Sequence, residues 1–309
     1  MTQSADNFQA FQRSATVTVG PVQITNIGDG TGLDFEFSIR KTLKAKSPNT
    51  ADLKIYNLSI ASLLQLGMAA QVSTVIQAPP TDAPTSGGKP VLVIPVQIDA
   101  GYVGHTSTIF LGEMRSAQSV TAGADIVTEL NAGDGDVAIG LARISASFGK
   151  GTTPVDVVTA LVTAAGIGIG NFSSVQPLFQ NAPGPLFQNG LSLKGNPAKI
   201  LDDICGSVGV EFSIVGGQAQ FLPLGQPLAG QAYNLSPSTG LVGTPTVDTA
   251  GIVTFTSFIL PGLALGGPVN ISSVFVNGLF RILTAEYTGS TFSNDWYFKG
   301  TAGSYGVAP

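Results

Sequence analysis

Residues 33–43 read LDFEFSIRKTL, with Leu33, Phe35, Phe37 and Ile39 at every second position and Asp34, Glu36, Ser38 and Arg40 between them. Apolar side chains two residues apart share one face of a strand and fall on different sides of a helix. The stretch is therefore a half-buried strand. The same period runs through SATVTVG and VQITNIG before it, and through DLKIYNL after the turn SPNTA. GDGTG (Gly28 to Gly32) supplies a further turn, built from residues that tolerate positive φ. The spacing predicts a hairpin with Leu53 and Ile55 inward, and with the cations Arg40, Lys41, Lys44, Lys46 and Lys54 outward beside Asp34, Glu36 and Asp52. SIASLLQLG follows as one short helix, with Ser59 as N-cap and Gly67 as its stop. APPTDAPTSGGKP (Ala78 to Pro90) has the composition of an exposed connection. VLVIPVQIDAGYVG, STIFLGEMRSAQSV and DIVTELNAGDGD then add three strand-like runs, a pattern that suits a closed or nearly closed barrel.

Around Thr153 the period changes. TTPVDVVTALVTAAGIGIG offers Thr153 as N-cap, Pro154 at the first helical position, and Val157, Leu161 and Ala164 or Ala165 along one face. GNPAKILDDICGSVG repeats that opening with Asn196 and Pro197, and its apolar stripe is Ile200, Leu201, Ile204 and Val208. VEFSIVGGQAQFLPL reads as a hairpin turning at Gly216–Gly217. Between the helices, SVQPLFQNAPGPLFQNG repeats PLFQN and reads as an extended Pro- and Gly-rich arm. From Gln226 to Pro309 strand grammar returns. The expected fold is mainly β with a small α/β module: two β-barrel-like domains, residues 1–148 and 226–309, flank a two-helix plus hairpin insert with its arm at 149–225. Trp296 and Tyr297 are expected in the core of the C-terminal barrel.

Composition narrows the function. Charged residues are 11 % of the chain, against about 25 % in ordinary soluble domains. Mean hydropathy is +0.32. A monomer with so few charges would have a sticky surface, so the chain lies in a membrane or buries much of its exterior against partners. The longest charge-free stretch, Thr249 to Phe280, is broken by Pro261, Gly262, Gly266, Gly267, Pro268 and Asn270 and alternates near period two. A spanning helix needs about 18 continuous apolar residues, so no membrane span is expected. The opening MTQSADNFQAFQRS lacks the basic and apolar regions of a signal peptide. An assembly subunit is the better reading. A net charge of −5 argues against a dedicated nucleic-acid binder. Cys205 is the only cysteine, which excludes an intrachain disulfide, and its place on an apolar helix face predicts a buried thiol.

No catalytic constellation emerges. His105 is the only histidine, no G-x-S-x-G elbow exists, and no His or Cys partner is available for zinc. SFGKGTTP fails the phosphate-loop spacing, and GIGIG closes a helix instead of opening one. Asp134 with Asp136, and Asp202 with Asp203, lack the further oxygens that calcium requires. The chain reads as no enzyme, with no catalytic, cofactor-binding or metal residues.

Several segments together do point to a family. FSIRKTLKAKSPNTADLKIYNLS, followed by FLGEMRSAQSV and IVTELNAGDGD, resembles the first domain of bacteriophage baseplate hub proteins, with its K-T-L, P-N-T-A, Y-N-L-S hairpin and later G-D-G turn. TGLVGTP, FTSFILPGL, VNGLFRILTAEYTGS and SNDWYFKG are similar, in that order, to the last domain of the same family. The order of the motifs carries the resemblance. The strand LTAEYTGS departs from it by lacking histidine. The resemblance implies a structural virion protein of the tail baseplate, made in the bacterial host cytoplasm and working without cofactor or sequence-specific nucleic-acid binding. It implies a homotrimer in which two β-barrel domains per chain give a pseudo-sixfold ring. That ring would join the hexameric tail tube to the trimeric spike around a channel for genome ejection, with baseplate wedge and tape measure proteins as further neighbours. Alternatives are a distal tail or tail-tip protein forming a sixfold ring, or an extracellular carbohydrate-binding adhesin module. The adhesin would want exposed aromatic clusters, whereas aromatics are 8 % of the chain and fall mostly at inward strand positions.

One cluster of charge remains. Arg40, Lys41, Lys44, Lys46 and Lys54 are five of the chain's 14 lysines and arginines. Arg40, Lys41, Lys44 and Lys46 either meet carboxylates of a neighbouring subunit or tube protein, or guard a sheet edge against aggregation. In the interface reading, charge reversal at Lys41 and Lys44 impairs assembly.

Overall fold

The computed structural model describes residues 12–26, 32–43, 47–72, 85–86, 89–90, 94–180 and 190–305. The chain begins with β1 (Arg13–Val19), β2 (Val22–Thr25), β3 (Phe35–Thr42), β4 (Asn49–Tyr56) and helix α1 (Ile60–Val72). A two-residue ladder, β5 (Thr85–Ser86) and β6 (Lys89–Pro90), precedes β7 (Pro95–Tyr102), β8 (His105–Ala122) and β9 (Asp125–Asp134). The middle holds β10 (Ile144–Phe148), α2 (Pro154–Ala165), α3 (Gln176–Gln180), β11 (Leu191–Gly195), α4 (Pro197–Ser207), β12 (Val210–Val215) and β13 (Gln218–Pro223). Strands close the chain: β14 (Tyr233–Leu235), β15 (Leu241–Val247), β16 (Val253–Phe258), β17 (Pro268–Ser272), β18 (Asn277–Ser290) and β19 (Trp296–Ser304).

Alternation sets the sheet. Phe35, Phe37 and Ile39 are buried while Glu36, Ser38 and Arg40 are not. Strands pair in the order β15-β16-β19-β18-β3-β4-β9-β8-β7-β1-β2, with β17 on β18 and β14 parallel to β17. The two β-rich segments meet at β3 and β18, where Thr42 lies opposite Thr284 and Glu36 opposite Ser290. Their apolar faces share one core that runs from Ala15 to Ala302. Trp296 sits in it at 1 % exposure, edge-on to Phe37 with ring centroids 5.6 Å apart. Gly289 stands opposite Phe37, and a Cβ there would run into the Phe37 ring. Arg13 lies over the Trp296 ring and donates to the carbonyls of Ser293 and Asn294, which ties β1 to the β18–β19 turn. The fold is mainly β, with a small helical insert.

The insert has its own core, from Ala138 to Phe221. Thr153 and Asp156 form a capping box at α2, and Gly166 ends that helix at φ 72°. Asn196 caps α4 and also donates to the carbonyls of Ala138 and Ile139. Cys205 is fully buried, and burial pushes its thiol pKa up. This core begins upstream of the helical sequence, because Ile144 and Phe148 of β10 pack into it and β10 pairs with β11.

Two local readings change. The helix after Ser59 does not stop at Gly67 but continues to Val72. An interior glycine costs only about 1 kcal/mol against alanine, and the residues after it are good helix formers. The arm is not wholly extended: Phe172–Ser174 form a 3-10 turn and Gln176–Gln180 form α3. Phe179 is drawn into the module core, 5.1 Å from Phe172, which itself lies 5.2 Å from Phe221. The second PLFQN, the turn at Gly28–Thr31 and most of the Ala78–Pro90 loop lie outside the described residues.

Polar groups fasten the insert to the sheet. The buried Asp134 carboxylate accepts from the amides of Gly216 (2.7 Å) and Gly217 (2.9 Å) at the β12–β13 turn. Asn49 donates to that carboxylate and to the Ile214 carbonyl. Arg281 of β18 grips both carboxylate oxygens of Glu211 on β12.

Candidate functional site: a polar sheet face

Outward positions of five neighbouring strands, β18-β3-β4-β9-β8, line up in rows because their registers agree. One row runs Thr288, Ser38, Asp52, Asn131, Ser116, and the next runs Ser290, Glu36, Lys54, Glu129, Gln118. Across β4, β9 and β8 three pairs of neighbours within the rows meet. Asn131 donates to Asp52 at 2.5 Å, Gln118 donates to Glu129 at 3.0 Å, and Lys54 stands 3.9 Å from Glu129. These rows line a groove of 570 Å³, in which Glu36, Asp52, Glu129 and Asp295 face Lys54 as the lone cation among the lining residues. The face is polar, acidic and paired along β4, β9 and β8. It has the chemistry of a surface that stays in water without gripping an anionic polymer.

The predicted cation cluster divides between the two sides of β3. Arg40 points outward, 73 % exposed at its side chain, and donates to Glu286 at 3.2 Å. Lys41 follows Ile39 on the inner side of the strand, toward the seam with the insert. There burial lowers its pKa to about 8, partly offset by the Asp134 carboxylate. Lys44 and Lys46 lie outside the described residues. Tyr297 is half-buried on the outer side of β19, stacked on Phe258 with centroids 6.3 Å apart, while Trp296 faces the core. His105 opens β8 on the surface. Among the described residues no cluster of three His, Cys, Asp or Glu could hold a metal, and no helix is long and apolar enough to cross a membrane. Sequence reasoning missed Ser38, Asp52, Asn131, Ser116 and Thr288 as a set. Alternation marks each as outward, but only the cross-strand register brings them together.

No protein-family model and no curated protein matches the sequence. Solved structures do. The 43 kDa tail protein of prophage MuSo2 from Shewanella oneidensis superposes with a TM-score of 0.60 at 11 % identity, over 94 % of this chain and 96 % of that one. A tail protein from Neisseria meningitidis MC58 gives 0.59 at 10 % identity, over 96 % and 98 %. The chain shares the fold of these two proteins. The match takes in nearly the whole of each chain, so it includes the insert as well as the sheet.

Proposed function

We propose that this chain is a structural subunit of a phage tail, the baseplate hub, and that three copies close into a pseudo-sixfold ring between tail tube and spike. The observation that carries this reading is the contrast between surfaces of one low-charge molecule. The two polar rows hold polar side chains and charges, whereas Ile60, Leu64, Leu224, Val274 and Phe275 are large apolar side chains exposed outside those rows. In the ring the polar face lines the channel and stays wet, and apolar surface is covered by neighbouring copies, tube and spike. Obligate assemblies bury on the order of 2,000 Å² or more and are apolar where they do so. The acidic lining lets DNA pass without adhering. The likeness of fold to tail proteins and the order of the hub-like motifs support the same reading.

The interface role of the cation cluster falls to Arg40, with Lys44 and Lys46 after it in sequence, meeting carboxylates of the tube protein and not of another copy, because Arg40 shares the polar face and Lys41 faces the seam. Electron micrographs of the purified protein test the proposal. Threefold rings with an open centre are the expected result. A sixfold ring would favour a tail-tip protein, and particles without a channel would overturn the reading.

A further inference from the structure

A second cavity, 380 Å³ and open to solvent, lies between the sheet and the β12–β13 hairpin of the insert. Its volume falls in the range of small-ligand pockets. One wall is apolar, formed by Ile109, Val215, Leu228 and Leu263. The other carries two polar groups that the fold does not satisfy. Gln220 is 8 % exposed and uses its Nε2 to donate to the Leu265 carbonyl, while its Oε1 has no hydrogen-bond partner. Lys41 enters from the inner side of β3, and no hydrogen bond or ion pair forms at its ammonium among the described residues. The nearby Asp134 carboxylate already accepts from Asn49, Gly216 and Gly217. A buried acceptor left unpaired is costly, and a ligand that donated to it while setting an anion on the partly exposed Lys41 ammonium would recover that cost.

The lining specifies the ligand. It must bring an anion to Lys41, an N–H donor to Gln220 Oε1 and an aliphatic body to the apolar wall of one cleft. The last residue of a polypeptide offers these three groups on one Cα: a carboxylate, an amide N–H and a side chain. We propose that this cleft captures the C-terminal carboxylate of a partner polypeptide that ends in an aliphatic residue. Capture of chain termini by such sites is a known mode of recognition. The cleft is built by a single chain, so the inference stands apart from the ring reading and survives or fails without it.

The probe is N-acetyl-Gly-Ala-Leu as the free acid, titrated into the full chain by calorimetry beside its C-terminal amide. The free acid should bind with Kd on the order of a millimolar or tighter, as ligand efficiency allows for a peptide of this size. The amide should bind about tenfold more weakly, having lost the charge-assisted contact to Lys41. Lys41→Met, whose unbranched stem fills the same space, should remove the preference for the acid. Leu228→Trp at the apolar wall should block both peptides. Equal binding of acid and amide by the wild-type chain, or no binding of the acid at about 10 mM, would overturn the proposal. So would competition by acetate as strong as that by the peptide, since the carboxylate alone would then be the ligand.

Discussion

The β body and the α/β insert are held together by different means. The insert's core comes from elements close in sequence, α2, α4, β12 and β13, and its helices are capped by local signals. The body's core needs strands from both ends of the chain. The Arg40–Glu286 pair on its outer face spans 246 residues, and β3 has hydrogen-bonding neighbours on both sides only when β18 is in place. Local contacts form readily, whereas long-range β pairing is slow because loop closure precedes its reward. The insert is thus a compact unit fastened by polar staples to a sheet that exists only when the whole chain has folded.

The widest separation between the two regions should follow from Trp296→Ala, which empties the centre of the body. It should cost about 3–5 kcal/mol in chemical denaturation of the body. Cys205 in the insert should stay protected from thiol reagents while the body unfolds. Thiol exposure in step with loss of the body would mean one cooperative unit, and the comparison would fail.

The next effect belongs to the staple. Asp134→Ala leaves the amides of Gly216 and Gly217 and the Asn49 side chain without their acceptor. Unpaired buried donors cost about 1–3 kcal/mol each, partly recovered here by water, so a total of about 3 kcal/mol is expected. Hydrogen exchange at Gly216 and Gly217 should accelerate. Unchanged protection there would show that packing, not the carboxylate, holds the hairpin.

Lys41 sharpens the seam further. Its pKa falls from 10.5 to about 8 on folding because burial disfavours the ammonium. Below pH 8 both folded and unfolded chains carry the proton, and the folded state bears the full desolvation cost. Between pH 8 and 10.5 the folded chain releases the proton first, so the Lys41 contribution makes stability rise with pH, by up to about 3 kcal/mol across the window. Lys41→Met should therefore stabilise the protein by about 1–3 kcal/mol at pH 7 and remove this rise. Melting curves at pH 7 and pH 10.5 check the sign, and a destabilised variant would refute it. The smallest effect is expected at Arg40→Ala, below about 0.5 kcal/mol, because its pair with Glu286 is exposed. Any larger consequence at Arg40 should appear in assembly, not in melting of the isolated chain.

Much of this was legible in the sequence, and the failures have physical causes. Period-two runs marked β3 and β4, and Thr153-Pro154 and Asn196-Pro197 marked the two main helix starts, because those signals are local. The β3–β18 junction was not legible, since nothing in either strand names a partner so distant in the chain. The polar face is a product of that register and was hidden with it. Lys41 is instructive in another way. In the sequence Lys41 reads as outward with its neighbouring cations, although the alternation that places Ile39 inward puts Lys41 on that same side. Position along the strand outweighed residue type.

The central claim is that the five-strand polar face lines a channel and is not itself a contact between copies. Light-scattering mass of Ser38→Arg, Asn131→Arg, a double change in the middle of that face, tests it most directly. The account predicts the same mass as the unmodified chain, three times the 31.5 kDa of one copy. A fall of the variant to the mass of one chain, or a single-chain mass for the unmodified protein, would contradict it.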